Sequence, residues 1–180
     1  MSTGQAKSLN RELSSMSDLD RLASNNPRRI LDIREFVVSR ELSPRIGFPP
    51  GETLIRFSMV RTGSKPGDPP IAWTTEYVNR SWQRLVHEQL MIDIISRVYR
   101  KQCVEIRQVV EATLLSEEAA LHLEGVPGSP ALRITRRYLD AKGHAILTTI
   151  STHPADRYAF NLNVQIDPED GRTSFTTDGL

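Results

Sequence analysis

Leu132-Arg-Ile-Thr-Arg-Arg-Tyr-Leu139, then Asp140-Ala-Lys-Gly143, then His144-Ala-Ile-Leu-Thr-Thr-Ile-Ser-Thr152 is the stretch that decides the fold. The two outer runs alternate and are rich in β-branched and aromatic residues. The four residues between them end in Gly143, where a positive φ is expected, so the stretch predicts an antiparallel hairpin. Gly125, Pro127, Gly128 and Pro130 turn the chain just before it. Upstream of that turn, Glu117 to Leu123 reads as a short helix. Ser116 is placed to cap it, and Glu117 and Glu118 suit the positive end of its dipole.

Further out the same two periods recur. Gln102 to Leu115 alternates as a strand, with Val104, Ile106, Val110 and Ala112 on one side. Asn79 to Arg100 changes period: Trp82, Leu85, Val86, Leu90, Ile94, Ile95 and Val98 fall at three- and four-residue spacings, predicting a long helix. Thr53 to Arg61 and Ile71 to Val78 form a second hairpin across the turn-rich stretch Thr62 to Pro70. Ile30 to Leu42 reads as a first strand, followed by a loop from Ser43 to Gly51. Downstream, Tyr158 to Ile166 is a last strand and Asp167 to Leu180 a polar tail. The expected fold is α+β: a mostly antiparallel β-sheet flanked by helices. The organisation expected is a linker or helical segment over 1–29, one domain over 30–166 and a tail over 167–180.

Composition narrows the functional classes. Lys and Arg number 23 against 22 acids, a formal charge of +1, so these residues lack the electrostatic footprint of a nucleic-acid-binding surface. Cys103 is the only cysteine, which excludes an intrachain disulfide and suits a reducing cytoplasm. No apolar run approaches the roughly 20 residues that span a bilayer, and Met-Ser-Thr-Gly-Gln lacks a signal peptide's apolar stretch. A cytoplasmic location is expected.

Catalytic and cofactor motifs do not emerge. The chain contains no GxGxxG or GxxxxGK(S/T) loop and no GxSxG elbow. His87, His122, His144 and His153 are far apart in sequence, without the spacing that brings two imidazoles to one metal, and each reads as a surface or edge residue. No metal, cofactor or catalytic residue is expected. Arg56, Arg61, Arg133, Arg136, Arg137 and Arg157 fall on or beside strands, where guanidinium forks suit a carboxylate or phosphate. Strand alternation sends about half of them to each side of a sheet. Trp73, Trp82, Tyr77, Tyr138 and Tyr158 are candidates for a pocket lining, or for the core.

Gln108 to Phe160 resembles the C-terminal half of the UTRA domain of HutC-type GntR regulators. The matching features occur in order: Val110-Glu111-Ala112, then Ala119-Ala120 and Leu123, then Val126-Pro-Gly-Ser-Pro-Ala-Leu132. Arg136 follows on a strand, then Asp140 and Gly143 in the hairpin turn, and finally Asp156-Arg-Tyr-Ala-Phe160. Leu54 to Arg61 and Ile71 to Val78 resemble the family more loosely.

The resemblance implies a chorismate lyase-like fold, an antiparallel sheet with flanking helices around a small-molecule cavity, paired as a homodimer. It implies Arg61, Glu111, Arg136 and Tyr158 as ligand-binding residues, with Thr149 in place of a common serine. The chain departs from the pattern at Met59, Thr74 and Leu147, where relatives carry an arginine, an acid and a glutamate. Losing that arginine weakens the case for a phosphorylated sugar. The implied function is effector sensing, in which a small molecule, an acidic one among the candidates, alters operator binding by a winged helix-turn-helix absent from this numbering. The effector must then bind two arrangements with different affinity. The alternatives are a chorismate lyase-like enzyme and a headless dimerisation module.

Overall fold

The computed structural model describes residues 28–63, 65, 67–80, 103–166 and 173–178. Six ten-residue strands form one sheet: β1 (Arg28–Val37), β2 (Thr53–Thr62), β3 (Pro70–Asn79), β4 (Glu105–Leu114), β5 (Pro130–Leu139) and β6 (Ala145–Pro154). Their spatial order is β1-β2-β3-β6-β5-β4 and every pairing is antiparallel. The α+β, mostly antiparallel fold expected from the sequence is the one observed.

The deciding hairpin forms as read. Gly143 has φ +80°, and Asp140 Oδ1 accepts from the Lys142 and His144 backbone N–H groups, which holds the turn closed. Two helices are described. The first, α1 (Ser43–Ile46), is a single turn inside the stretch expected as loop, with Pro44 in its first turn and Gly47 at φ +78° closing it. The second, α2 (Glu117–Leu123), starts as expected: Ser116 Oγ accepts from the Ala119 N–H at 3.1 Å. The helix expected from Asn79 to Arg100 falls, beyond Arg80, outside the described residues.

Two differences lie at the ends of the chain. Val38 to Leu42 leave the expected first strand, because β1 stops at Val37 and the chain turns toward α1. At the C-terminal end, Tyr158–Phe160 stay outside any strand. The closing strand is β7 (Asn161–Ile166), paired antiparallel with β8 (Thr173–Asp178) in a separate two-stranded sheet. The segment read as an aperiodic tail thus supplies a strand. Its Thr-Ser-Phe-Thr-Thr run has β-forming residues but too little alternation to announce itself.

Register divides the six-stranded sheet into two faces. Gln108, Arg136, Thr149, Glu76 and Phe57 stand side by side on β4, β5, β6, β3 and β2, and their i±2 neighbours share that front face. One end of the front face is apolar: Ile55, Phe57, Met59, Val78, Tyr138 and Leu147 form a buried cluster. The back face carries the two helices. Ile46 and Phe48 pack with Val38, Leu54 and Tyr77, while α2 packs Ala119, Ala120 and Leu123 on Leu115 and Ala131.

Candidate functional site

The front face changes character toward its other end. Thr74 Oγ1 and Ser151 Oγ lie 2.9 Å apart on adjacent strands, and charged side chains surround this pair. Arg28 and Arg61 are register partners on β1 and β2. Glu76 lies one inward step from Thr74 on β3, with Thr149 its partner on β6 and Arg136 beyond it on β5. His153, one inward step from Ser151, stacks on Tyr158, with ring centroids 4.1 Å apart. A polar island therefore sits in the sheet beside an apolar floor.

The island is mostly dry. Glu76 is 3% exposed, Tyr158 5%, His153 6% and Thr149 7%. Burial pushes the Glu76 carboxyl above its usual range, against the pull of Arg28 and Arg61. Burial also pushes the Arg61 guanidinium down to about 10, helped by the like charges of Arg28 and Arg136. The His153 imidazole falls to about 3, mainly through burial and then through Arg136. The Tyr158 hydroxyl is raised by burial, with Arg136 opposing. The charge of Arg136 is thus felt at Arg61, His153 and Tyr158, which places these groups around one space.

Several groups there lack partners. Arg28 Nη1, Glu76 Oε2, His153 Nδ1 and Tyr158 Oη are buried and make no hydrogen bond among the described residues. Arg28 Nη1 approaches Glu76 Oε1 only to 3.9 Å, too far for a hydrogen bond. A buried polar group left this way costs about 1–3 kcal/mol, and four around one space mark a place for an occupant that supplies the missing partners.

Of the residues implied by the resemblance, the structure gathers Arg61, Arg136, Thr149 and Tyr158 on the front face. Glu111 lies elsewhere: it pairs in register with Arg133 on the back face, and Arg133 Nε meets Glu111 Oε2 at 3.2 Å at an exposed position. The three departures also find places. Met59 and Leu147 join the apolar cluster, and Thr74 makes the bond to Ser151.

Sequence reading passed over three residues of the island: Arg28, Glu76 and His153. His153 is buried, contrary to the surface position expected of it, because it continues the inward set Leu147, Thr149, Ser151. Glu76 carried a visible signal: an acid in line with the inward Ala72, Thr74 and Val78. The arginines divide as alternation demands. Arg61 and Arg136 face front, and Arg56, Arg133 and Arg137 face back. Arg157, in the turn after β6, donates to the carbonyls of Pro70, Leu123 and Glu124, closing the end of α2.

The back face holds a groove of about 360 Å³ between the two helices, lined by Arg56, Arg133, Trp73 and Tyr77 among others. Among the described residues no cluster of His, Cys, Asp and Glu could hold a metal ion, and no helix is long and apolar enough to cross a membrane.

A six-stranded antiparallel sheet with a buried, underpartnered polar island on one face defines a small-molecule-binding domain. The chain belongs to the UTRA domain family, whose model matches residues 27–159. The fold is similar to the ligand-binding domain of a GntR-family transcriptional regulator from Bordetella bronchiseptica, with TM-score 0.62 and 16% identity over 74% of this chain and 85% of that one. It is similar to the effector domain of PhnF from Mycobacterium smegmatis (TM-score 0.61, 14% identity, 73% of this chain and 82% of that one). It is similar again to a transcriptional regulator from Streptomyces coelicolor (TM-score 0.63, 20% identity, 79% of this chain and 95% of that one). No curated protein matches the sequence.

Proposed function

We propose that this chain is the effector-sensing domain of a cytoplasmic GntR regulator of the HutC type. In this reading the sensing domain begins with β1 at Arg28, two residues before the bound expected from the sequence, includes the β7–β8 pair, and leaves the linker to the residues before it. The domain performs no chemistry on its ligand. It works as a homodimer, and DNA is contacted only through a winged helix-turn-helix outside this numbering.

The observation that carries the proposal is the polar island. Among the described residues, the guanidiniums of Arg28 and Arg61 act on one buried carboxyl, that of Glu76, Arg136 adds a third positive charge beyond Thr149, and His153 is neutral near pH 7. The excess positive charge favours a small acidic effector, seated by Arg61 and Arg136. Arg136 Nε donates to Gln108 Oε1 at 2.6 Å, which aims the remainder of its fork. Tyr158 and Thr149 offer hydroxyls, and His153 Nδ1 offers a further polar contact. Differential affinity for two arrangements of the dimer would convert occupancy into altered operator binding.

A thermal-shift screen against dicarboxylates, sugar acids, sugar phosphates and amino acids tests it. A true effector raises Tm by mass action on the folded state, and both Arg136→Ala and Tyr158→Phe reduce that rise. Hits indifferent to both substitutions contradict the proposal. Light scattering of the free chain tests the dimer, and a monomer at tens of micromolar counts against it.

A further inference from the structure

We infer that the groove on the back face is a second small-molecule site, built for a monocarboxylate with an aromatic or branched apolar body. It involves none of the polar-island residues, so it stands apart from the effector reading. Its volume of about 360 Å³ lies within the range of roughly 300–1,000 Å³ typical of small-molecule sites. Trp73, Tyr77 and Ile150 supply an apolar floor, and the side chains of Arg45, Arg56 and Arg133 also line the space.

The walls are held in place. Arg137 donates to the Pro44 and Arg45 carbonyls, and Thr148 Oγ1 donates to the Ile46 carbonyl at 2.6 Å, anchoring α1 to the sheet. On the other side α2 is anchored by Arg157 and by its packing on Leu115 and Ala131. A groove between two anchored helices is pre-formed, which limits the ordering an occupant must impose.

Polar contacts in the groove are partly used and partly open. Arg56 Nη2 meets Asp32 Oδ2 at 2.9 Å, while Arg56 Nε is buried with no hydrogen-bond partner. Arg133 meets Glu111 through Nε. Arg45, exposed at the mouth, makes no ion pair among the described residues. Arg45 and Arg56 both project their charge onto the Tyr77 hydroxyl, so two guanidiniums converge on one end of the groove. Glu118, the acid in the lining, stands on the α2 wall. A carboxylate is therefore drawn to the α1 end, with its apolar body laid over Trp73 and Ile150. Trp73 is oriented for this by its indole N–H, which donates to Ser58 Oγ at 2.9 Å.

The test is a titration of the ¹⁵N-labelled chain with benzoate, following the Trp73 indole N–H signal, assigned by its loss in Trp73→Phe. The inference predicts a saturable shift and binding weakened about tenfold in Arg56→Gln, the loss of one charge-assisted contact. Arg45→Gln gives a second reading should Arg56→Gln, which loses its Asp32 pair, fail to fold. Benzamide, with the same ring and no charge, binds about tenfold more weakly than benzoate. A linear, non-saturating response overturns the inference, as does equal binding of benzamide and benzoate. A shift abolished by Arg136→Ala but kept in Arg45→Gln moves benzoate to the front face; that overturns the groove while leaving the effector reading intact.

Discussion

On the back face, Arg137 closes the last turn of α1 and Arg133 meets Glu111 in solvent; on the front face, Arg28 and Arg61 lie with Glu76 in a nearly dry environment. These residues come from the same few strands, alternating from one face to the other. The comparison separates two uses of charge. On the back, charge stitches helices to a sheet and is mostly satisfied by carbonyls and exposed acids. On the front, the Glu76 carboxyl is buried, like charges repel one another, and Arg28 Nη1 and Glu76 Oε2 make no hydrogen bond among the described residues. Such an arrangement detracts from stability and suits an incoming ligand.

The largest effect should come from breaking the front-face charge balance. Replacing Glu76 by Gln takes the buried carboxyl from beside Arg28, whose Nη1 makes no hydrogen bond among the described residues, at a cost of about 3–5 kcal/mol in urea unfolding. A loss below about 1 kcal/mol would mean that the front face is no drier than the back.

Next in size is a dependence on pH. The His153 pKa is about 3 in the folded chain against an ordinary 6.5, so the unfolded chain binds more protons between those values. Stability is then lost as pH falls through that window, by about 2 kcal/mol between pH 7.5 and 5. Glu76 works the other way: its raised pKa removes stability as pH rises from the usual carboxylate range toward the folded value. Comparing the unfolding free energies of wild type and His153→Gln at both pH values isolates the histidine, and an unchanged difference refutes its burial as a neutral group.

Two back-face changes should be smaller. Ser116→Ala removes the α2 cap and costs about 1 kcal/mol, measurable by chemical denaturation. Glu111→Ala breaks an exposed pair and costs less than about 1 kcal/mol. A Glu111→Ala loss as large as that of Glu76→Gln would erase the distinction between the faces.

The sheet was legible because strand alternation and turn chemistry are local. Asp140 to Gly143 and Ser116 announce themselves within a few residues, and five of the six main strands lay within a few residues of their expected bounds. Even β1, which stops well short of Leu42, began where expected. The one-turn α1 was hidden because four residues show no period. The island was half legible. Arg61, Arg136, Thr149 and Tyr158 came through family resemblance, whereas Arg28, Glu76 and His153 are defined by cross-strand register. Knowing that Glu76 stands beside Thr149 requires the non-consecutive pairing of β3 with β6, which no local pattern in either strand reveals.

The most direct test of the account is a crystal structure of the chain with the strongest acidic hit from the thermal-shift screen. The account predicts the ligand on the front face, its acid between Arg61 and Arg136 and a polar atom against His153 Nδ1 or the Tyr158 hydroxyl. A ligand seated solely in the back-face groove, with the polar island unchanged, would contradict it.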